Sequence, residues 1–396
     1  MPEHTAHPRL INKQFALLLG FIFIDQICHS HIIRVLSDHY SYTGLGFCVA
    51  FLLVQIVASP IQAGYSDFYC RRRSLIFSLT CSGIAMGLAL LDSAYSRGLF
   101  LVPLAILGKA ALGNTLGLSW AAIADIRHRQ FRIAFAISIA AIASAYLMII
   151  TLHDQLGSYY SNAAIMGALF LSAYLAFREF RDARDRVPHE FDAGTILQKL
   201  KEEVRRIFTD LLGHGRVRLA LLTFFLWEYS FYIIFMSDVE LSIAPFNHVS
   251  LAYIIGTYVG VALLRYTKLS DEELISCGLV GSLMAEVPMA MSLLSTGYTN
   301  VLSITCYGIY AAASAVMVPC IFSIITKERQ PHETGKVYGL MDSTDSIAIL
   351  FAISSLYLYK LLGAPGVPGL YLVYASLLIF AMSLYPYYKF RTYYKA

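Results

Sequence analysis

Ala63-Gly64-Tyr65-Ser66-Asp67-Phe68-Tyr69-Cys70-Arg71-Arg72-Arg73 separates two apolar runs, and its reading decides the fold. An aspartate followed by three consecutive arginines cannot stay in hydrocarbon, so the chain must surface here and re-enter the membrane near Ser74. On either side of this short basic turn, apolar runs of about twenty residues recur, the length that spans a bilayer as a helix. They are expected near 14–33, 43–62, 74–92, 99–122, 131–152 and 160–178, then near 219–236, 249–266, 274–294, 299–322, 336–359 and 367–388.

Composition agrees with twelve spans. Of 396 residues, 57% are apolar and 14% charged, against roughly a quarter charged in soluble domains. Placing both termini in the cytoplasm puts 26 of the 30 lysines and arginines on the inner side, the asymmetry that sets membrane orientation. The net charge of +4 therefore sits at membrane edges and does not indicate a nucleic-acid partner. Met1 to Arg9 is polar and no small-residue cleavage site follows Phe15, so the first span is expected to be retained. The seven cysteines show neither disulfide nor zinc spacing.

One long polar stretch divides the chain into halves, giving an all-α membrane protein of two six-helix bundles, 1–178 and 219–396, joined by a cytoplasmic linker at 179–218. Within the linker, Ile196, Leu200, Val204, Ile207, Phe208 and Leu211 recur at helical spacing, which predicts an amphipathic interfacial helix.

The arginine turn resembles the loop signature of the major facilitator superfamily, G-x-x-x-D-R-x-G-R-R, with Ala63, Asp67, Cys70, Arg71 and Arg72 on its positions. The fourth span, with Lys109, Gly113 and Asn114, resembles the family's fourth-helix motif with Lys in place of Arg. Gly335-x-x-x-Gly339 resembles its approach to the eleventh helix. The first span resembles the drug:proton antiporters, including the tetracycline exporters, in keeping Asp25, while Arg34 and Ser37 replace that group's prolines. The fifth span, Ala141 to Leu147, lacks the Gly-Pro pattern of antiporters. By this resemblance Asp67 meets the start of the eleventh helix, and Arg71 and Arg72 staple the inner helix ends.

Ionisable side chains at mid-bilayer are costly and mark functional sites, which transporters place between repeats. Asp25 in the first span and Glu228 in the seventh occupy equivalent positions in the two halves. Lys109 is expected to reach Asp25 across a cavity, and His29, one turn beyond on the same face, is a candidate relay. Asp25, Glu228, Lys109 and His29 are thus the proton-coupling candidates. Gln26, Asn114, Trp227 and Tyr229 are the candidate substrate contacts, the two aromatics because they flank Glu228. Asp342 and Asp345, three apart on one helix face, are expected at the inner mouth as part of the gate with Asp67, Arg71 and Arg72. Glu286 lies at mid-depth in the ninth span without an assigned role.

These features point to a monomeric secondary transporter of a bacterial inner membrane, moving a small organic solute by alternating access with protons as coupling ion and efflux favoured. Uptake of a nutrient or metal-chelating metabolite is the alternative, and a non-transporting receptor with the same fold is the rival of another class. No HExxH or GxSxG arrangement is present, and neither an enzyme nor a cofactor or metal is expected.

Overall fold

The computed structural model describes residues 12–39, 41–68, 70–95, 101–127, 130–182, 215–241, 246–294, 300–327 and 334–361, with Ser376, Ile379, Phe380, Ser383 and Leu384 beyond them. The described residues form helices and short connections, with no strand among them. In hydrocarbon each backbone N–H and C=O must find a partner within its own segment, and for these apolar runs the helix is that solution.

The helices are α1 (Lys13–His39), α2 (Ser41–Phe68), α3 (Arg71–Tyr95), α4 (Leu101–Leu112), α5 (Thr115–Ile126) and α6 (Phe131–Glu179), then α7 (Gly215–Leu241), α8 (Phe246–Tyr266), α9 (Asp271–Leu294), α10 (Asn300–Lys327) and α11 (Thr334–Leu361). Seven segments among the described residues are long and apolar enough to cross a membrane, with mean hydropathies from 1.2 to 2.0. The helices α7 and α9 each carry a glutamate within their length, Glu228 and Glu286.

Two expectations need revision. The fourth span is not one helix: it breaks at Gly113 and Asn114, between α4 and α5. The fifth and sixth spans, expected as separate helices, form one helical run of 49 residues. If straight, it would be about 74 Å long, more than twice a bilayer core. Instead it folds back. Phe135 near its start packs on Tyr338 of α11 at 5.2 Å, and near its end the carbonyl of Ala176 accepts from Arg72. Asp67 joins these contacts, pairing with Arg71 and accepting from the start of α11, so both ends of α6 lie at the arginine end of the bundle. The first leg, Phe131–Ala145, meets α8 where Ser144 bonds Tyr258 and α10 where Phe135 packs on Phe322; the second, Tyr159–Glu179, meets α1 where Asn162 bonds His31 and α3 where Phe170 lies on Gly83.

The interfacial linker helix lies outside the described residues. Of the twelfth span only the five residues named above are described; the Ser376 carbonyl accepts from Ser230 of α7, and Ile379 packs against Ile233 and Ala352.

The two halves meet mainly along α2 and α11. Gly335 and Gly339 permit this seam: a Cβ on Gly335 would collide with the Ala63 carbonyl, and one on Gly339 would stand 2.6 Å from the Cα of Pro60. Small residues bring helix backbones together in this way when lipid supplies no hydrophobic drive between helices.

Candidate functional site

Asp25 sits on the buried stripe of α1 with Leu18, Ile22 and Ile32, so helix periodicity itself turns the carboxylate inward. Lys109 of α4 donates to its Oδ1 at 2.5 Å, and both side chains are less than 5% exposed. Thr115, at the start of α5, also lies within reach of Asp25 and bonds Ser78 of α3 at 2.9 Å.

The break between α4 and α5 is organised around the same lysine. Its ammonium also donates to the Gly113 carbonyl, to which the Ser82 hydroxyl donates at 3.3 Å. The Gln62 side chain clasps the gap: its amide nitrogen donates to the Ala111 carbonyl and its oxygen accepts from the Asn114 N–H at 3.3 Å. Interrupted helices whose freed backbone groups are re-satisfied are the transporter form of a midplane binding site. A methyl group on Gly113 would stand 2.6 Å from Lys109 Cδ and overlap Ser82 Oγ. Gly113→Ala is therefore expected to displace Lys109 and lower solute affinity at least tenfold, read by equilibrium binding, whereas Gly108→Ala, where a Cβ meets nothing, leaves it unchanged.

From Asn114 the polar path crosses to the other half. The Asn114 amide donates to Ser59 Oγ, and Ser59 donates to Asp342 Oδ2 of α11 at 2.5 Å. One residue on, Ser343 Oγ donates at 2.8 Å to the carbonyl of Ile56. That carbonyl is free because Pro60, four residues later in α2, has no N–H to donate. Asp345, on the next turn of α11, accepts from Tyr232 OH of α7 at 3.0 Å and lies close enough to Glu228 for their charges to interact. Asp25, Asp342, Asp345 and Glu228 thus form a line of four carboxyls with one ammonium, Lys109, at its first end.

Asp342 and Asp345 accordingly lie within the central polar path, bonded to Ser59 and Tyr232, and not among arginines at the inner mouth. The two aromatics expected to flank Glu228 also part. Residues 227 and 229 project about 200° apart on one helix: Trp227 stacks on Phe231 at 6.1 Å and Tyr310 at 5.7 Å inside the second half, whereas Tyr229 OH bonds Ser355 at 2.7 Å. His29 packs edge-on against Phe51 at 5.2 Å, while His31 bonds Asn162 of α6 at 2.7 Å. Gln26 is buried beside Asp25.

Toward the arginine end the path is closed. Trp120, Phe135, Phe224, Phe322 and Tyr338, drawn from both halves, meet with Phe322 in the middle, and its ring centroid lies 4.9 to 5.9 Å from the other four. Beneath this plug Asp67 Oδ1 accepts from the Gly335 N–H at 2.8 Å and Oδ2 from the Lys336 N–H at 3.0 Å, the end of α11 where the helix dipole favours an anion. Arg71, with no exposed surface, pairs with Asp67 at 2.7 Å and Asp125 at 2.5 Å. Arg72 donates to the Ala176 and Phe177 carbonyls near the end of α6. A second tie joins the halves on the same side: Arg132 of α6 pairs with Asp271 at 2.7 Å and donates to the Leu269 carbonyl at 2.9 Å.

Sequence reasoning missed Gln62 and Ser59. The available signal was Pro60: a proline within a span, flanked by Ser59 and Gln62, marks freed backbone that needs polar partners.

The profile of the Major Facilitator Superfamily matches residues 15–353. No curated protein matches the chain. Among solved structures, the human organic anion transporter MFSD10 shares 15% identity over 94% of this chain and 98% of its own, with a TM-score of 0.69. A bacterial homologue of the iron transporter ferroportin, in an outward-facing state, shares 13% over 96% of this chain and all of its own, at 0.66. The E. coli fucose:proton symporter FucP shares 13% over 94% and 98%, at 0.67. The apolar helices, the seam along α2 and α11 and the profile match together establish a multi-pass membrane protein, and the chain belongs to the major facilitator superfamily.

Proposed function

We propose that this protein is a proton-coupled exchanger that exports a small amphipathic organic solute bearing a basic group, with the Arg71 end facing the cytoplasm. The observation that carries this reading is the charge balance of the central path: among the described residues, four carboxyls and one ammonium leave three carboxyls uncompensated. Buried charge must be neutralised. Either protons or a cationic solute can do so, and the two compete for the same oxygens. Mutually exclusive occupancy yields exchange, because a binding event shifts the equilibrium only by its differential affinity for the two states.

Asp25 is the principal proton site in this scheme: protonating it weakens its grip on Lys109, and with it the bond network across the helix break. Asp342 and Asp345 carry the change to α11 and Glu228. Gln26, Asn114 and Tyr232 supply polar contacts, and Tyr229 an aromatic surface for an apolar solute. The carrier works as a monomer, with bundles at 1–178 and 219–396 rocking about the linker at 179–218.

Liposomes containing the purified protein and the pH dye pyranine test this. A quaternary ammonium or amine-bearing amphiphile is expected to drive proton movement opposite to its own, while a neutral sugar and an organic anion drive none. Proton movement with the sugar or the anion alone would replace export of a cation by uptake. Solute binding with no movement of either species would make the protein a receptor.

A further inference from the structure

Glu286 of α9 has no exposed surface. Ser230 of α7 donates to its Oε1 at 2.9 Å, and its Oε2 has no partner. Three further buried polar atoms on the adjoining helices are also without partners among the described residues: the hydroxyl of Ser282 one turn earlier on α9, that of Ser303 on α10 and the indole N–H of Trp227 on α7. The close approaches of Gly278 to Met317 and Gly281 to Ala313 set α9 antiparallel to α10 and bring Glu286 level with Tyr310. Tyr310 stacks on Trp227, and its hydroxyl donates to the Trp227 carbonyl at 3.5 Å.

A buried carboxyl oxygen without a partner among the described residues is unusual in a packed interior and calls for an explanation other than packing. A glutamine or a leucine would fill the space of Glu286 without the cost of a carboxyl at this depth. What a carboxyl adds is the capacity to take up and release a proton. The described groups that act on or with it are Ser230 from α7, with the Ser376 carbonyl beyond it, and Tyr310 from α10. No described lysine, arginine or histidine acts on it.

We propose that Glu286 is a proton-binding carboxyl of the second half, separate from the Asp25–Lys109 pair. The proton site stands without the exchange mechanism; only its consequence for solute movement rests on that reading.

Infrared difference spectra of the full-length protein in lipid nanodiscs after a pH jump test it. A carboxylic C=O stretching band is expected to survive in Asp25→Asn and to vanish in Glu286→Gln. The two tryptophans of the chain offer a second readout: in a Trp120→Phe background, Trp227 emission follows pH and becomes flat when Glu286→Gln is added. A Glu286→Gln spectrum with every titrating band of the wild type would overturn the proposal. Should that variant not fold, Glu286→Asp decides: a shifted band supports the assignment and an unshifted set of bands refutes it. If wild-type protein shows the band yet exchanges nothing, the exchange reading fails and the proton site stands.

Discussion

Lys109→Met is expected to melt far below the wild type and to move no solute against a pH gradient, whereas Asp25→Asn combined with Lys109→Met regains the stability and not the coupling. Lys109 and Asp25 are both buried and in contact at 2.5 Å. Removing one partner of such a pair leaves an uncompensated charge and costs about 3–5 kcal/mol, while removing both is close to neutral. Lys109 also holds the Gly113 carbonyl, so its loss frees the helix break as well. Thermal melts of the four corners of the cycle measure the coupling energy, and pyranine flux measures the transport. A double variant that still concentrates solute at the expense of the gradient would remove Asp25 from the mechanism.

Gly335→Ala should open the arginine end. The added methyl would collide with the Ala63 carbonyl and stand 2.8 Å from Asp67 Oδ2, and it meets backbone that cannot swing aside. Asp67 then loses its grip on the first N–H groups of α11. Hydrogen bonds to a charged group are worth about 1.5–3 kcal/mol each, so losing two shifts the population roughly a hundredfold or more. Net transport should fall at least tenfold. Maleimide labelling of Ser119→Cys, a position buried in α5, should accelerate by a similar factor when the reagent is added from that side. Unchanged labelling would mean that the Asp67 contact does not hold the barrier closed.

Much of this architecture was legible in the sequence, because span length and charge asymmetry are imposed by the bilayer and are local properties. The Asp25–Lys109 contact was likewise readable, since two opposite charges at one depth in hydrocarbon have few alternatives to each other. The break at Gly113 was not: apart from Lys109, Asn114 and Thr115, Ile106 to Gly117 is apolar and small enough to read as unbroken helix, and the interruption depends on Gln62, from another helix, meeting both Ala111 and Asn114. Asp342 and Asp345 were placed too near the inner mouth for a related reason. Sequence spacing gives their shared face but not that Ser59 and Tyr232 occupy the space in front of it. The plug around Phe322 carries no sequence signal, because aromatics make up 13% of the chain and any of them could have been chosen. The fold-back of α6 escaped as a helical run because Leu152 to Ser158 reads as a polar interruption.

The glycine seam bears on how tightly this protein can hold a gradient. Gly335 and Gly339 bring α11 onto the bare backbone of α2. Dispersion contacts weaken sharply within an ångström of separation, so these backbone contacts are lost early as the seam parts. Ajar arrangements are thereby made scarce, and with them the continuous file of water through which protons would slip across unaccompanied.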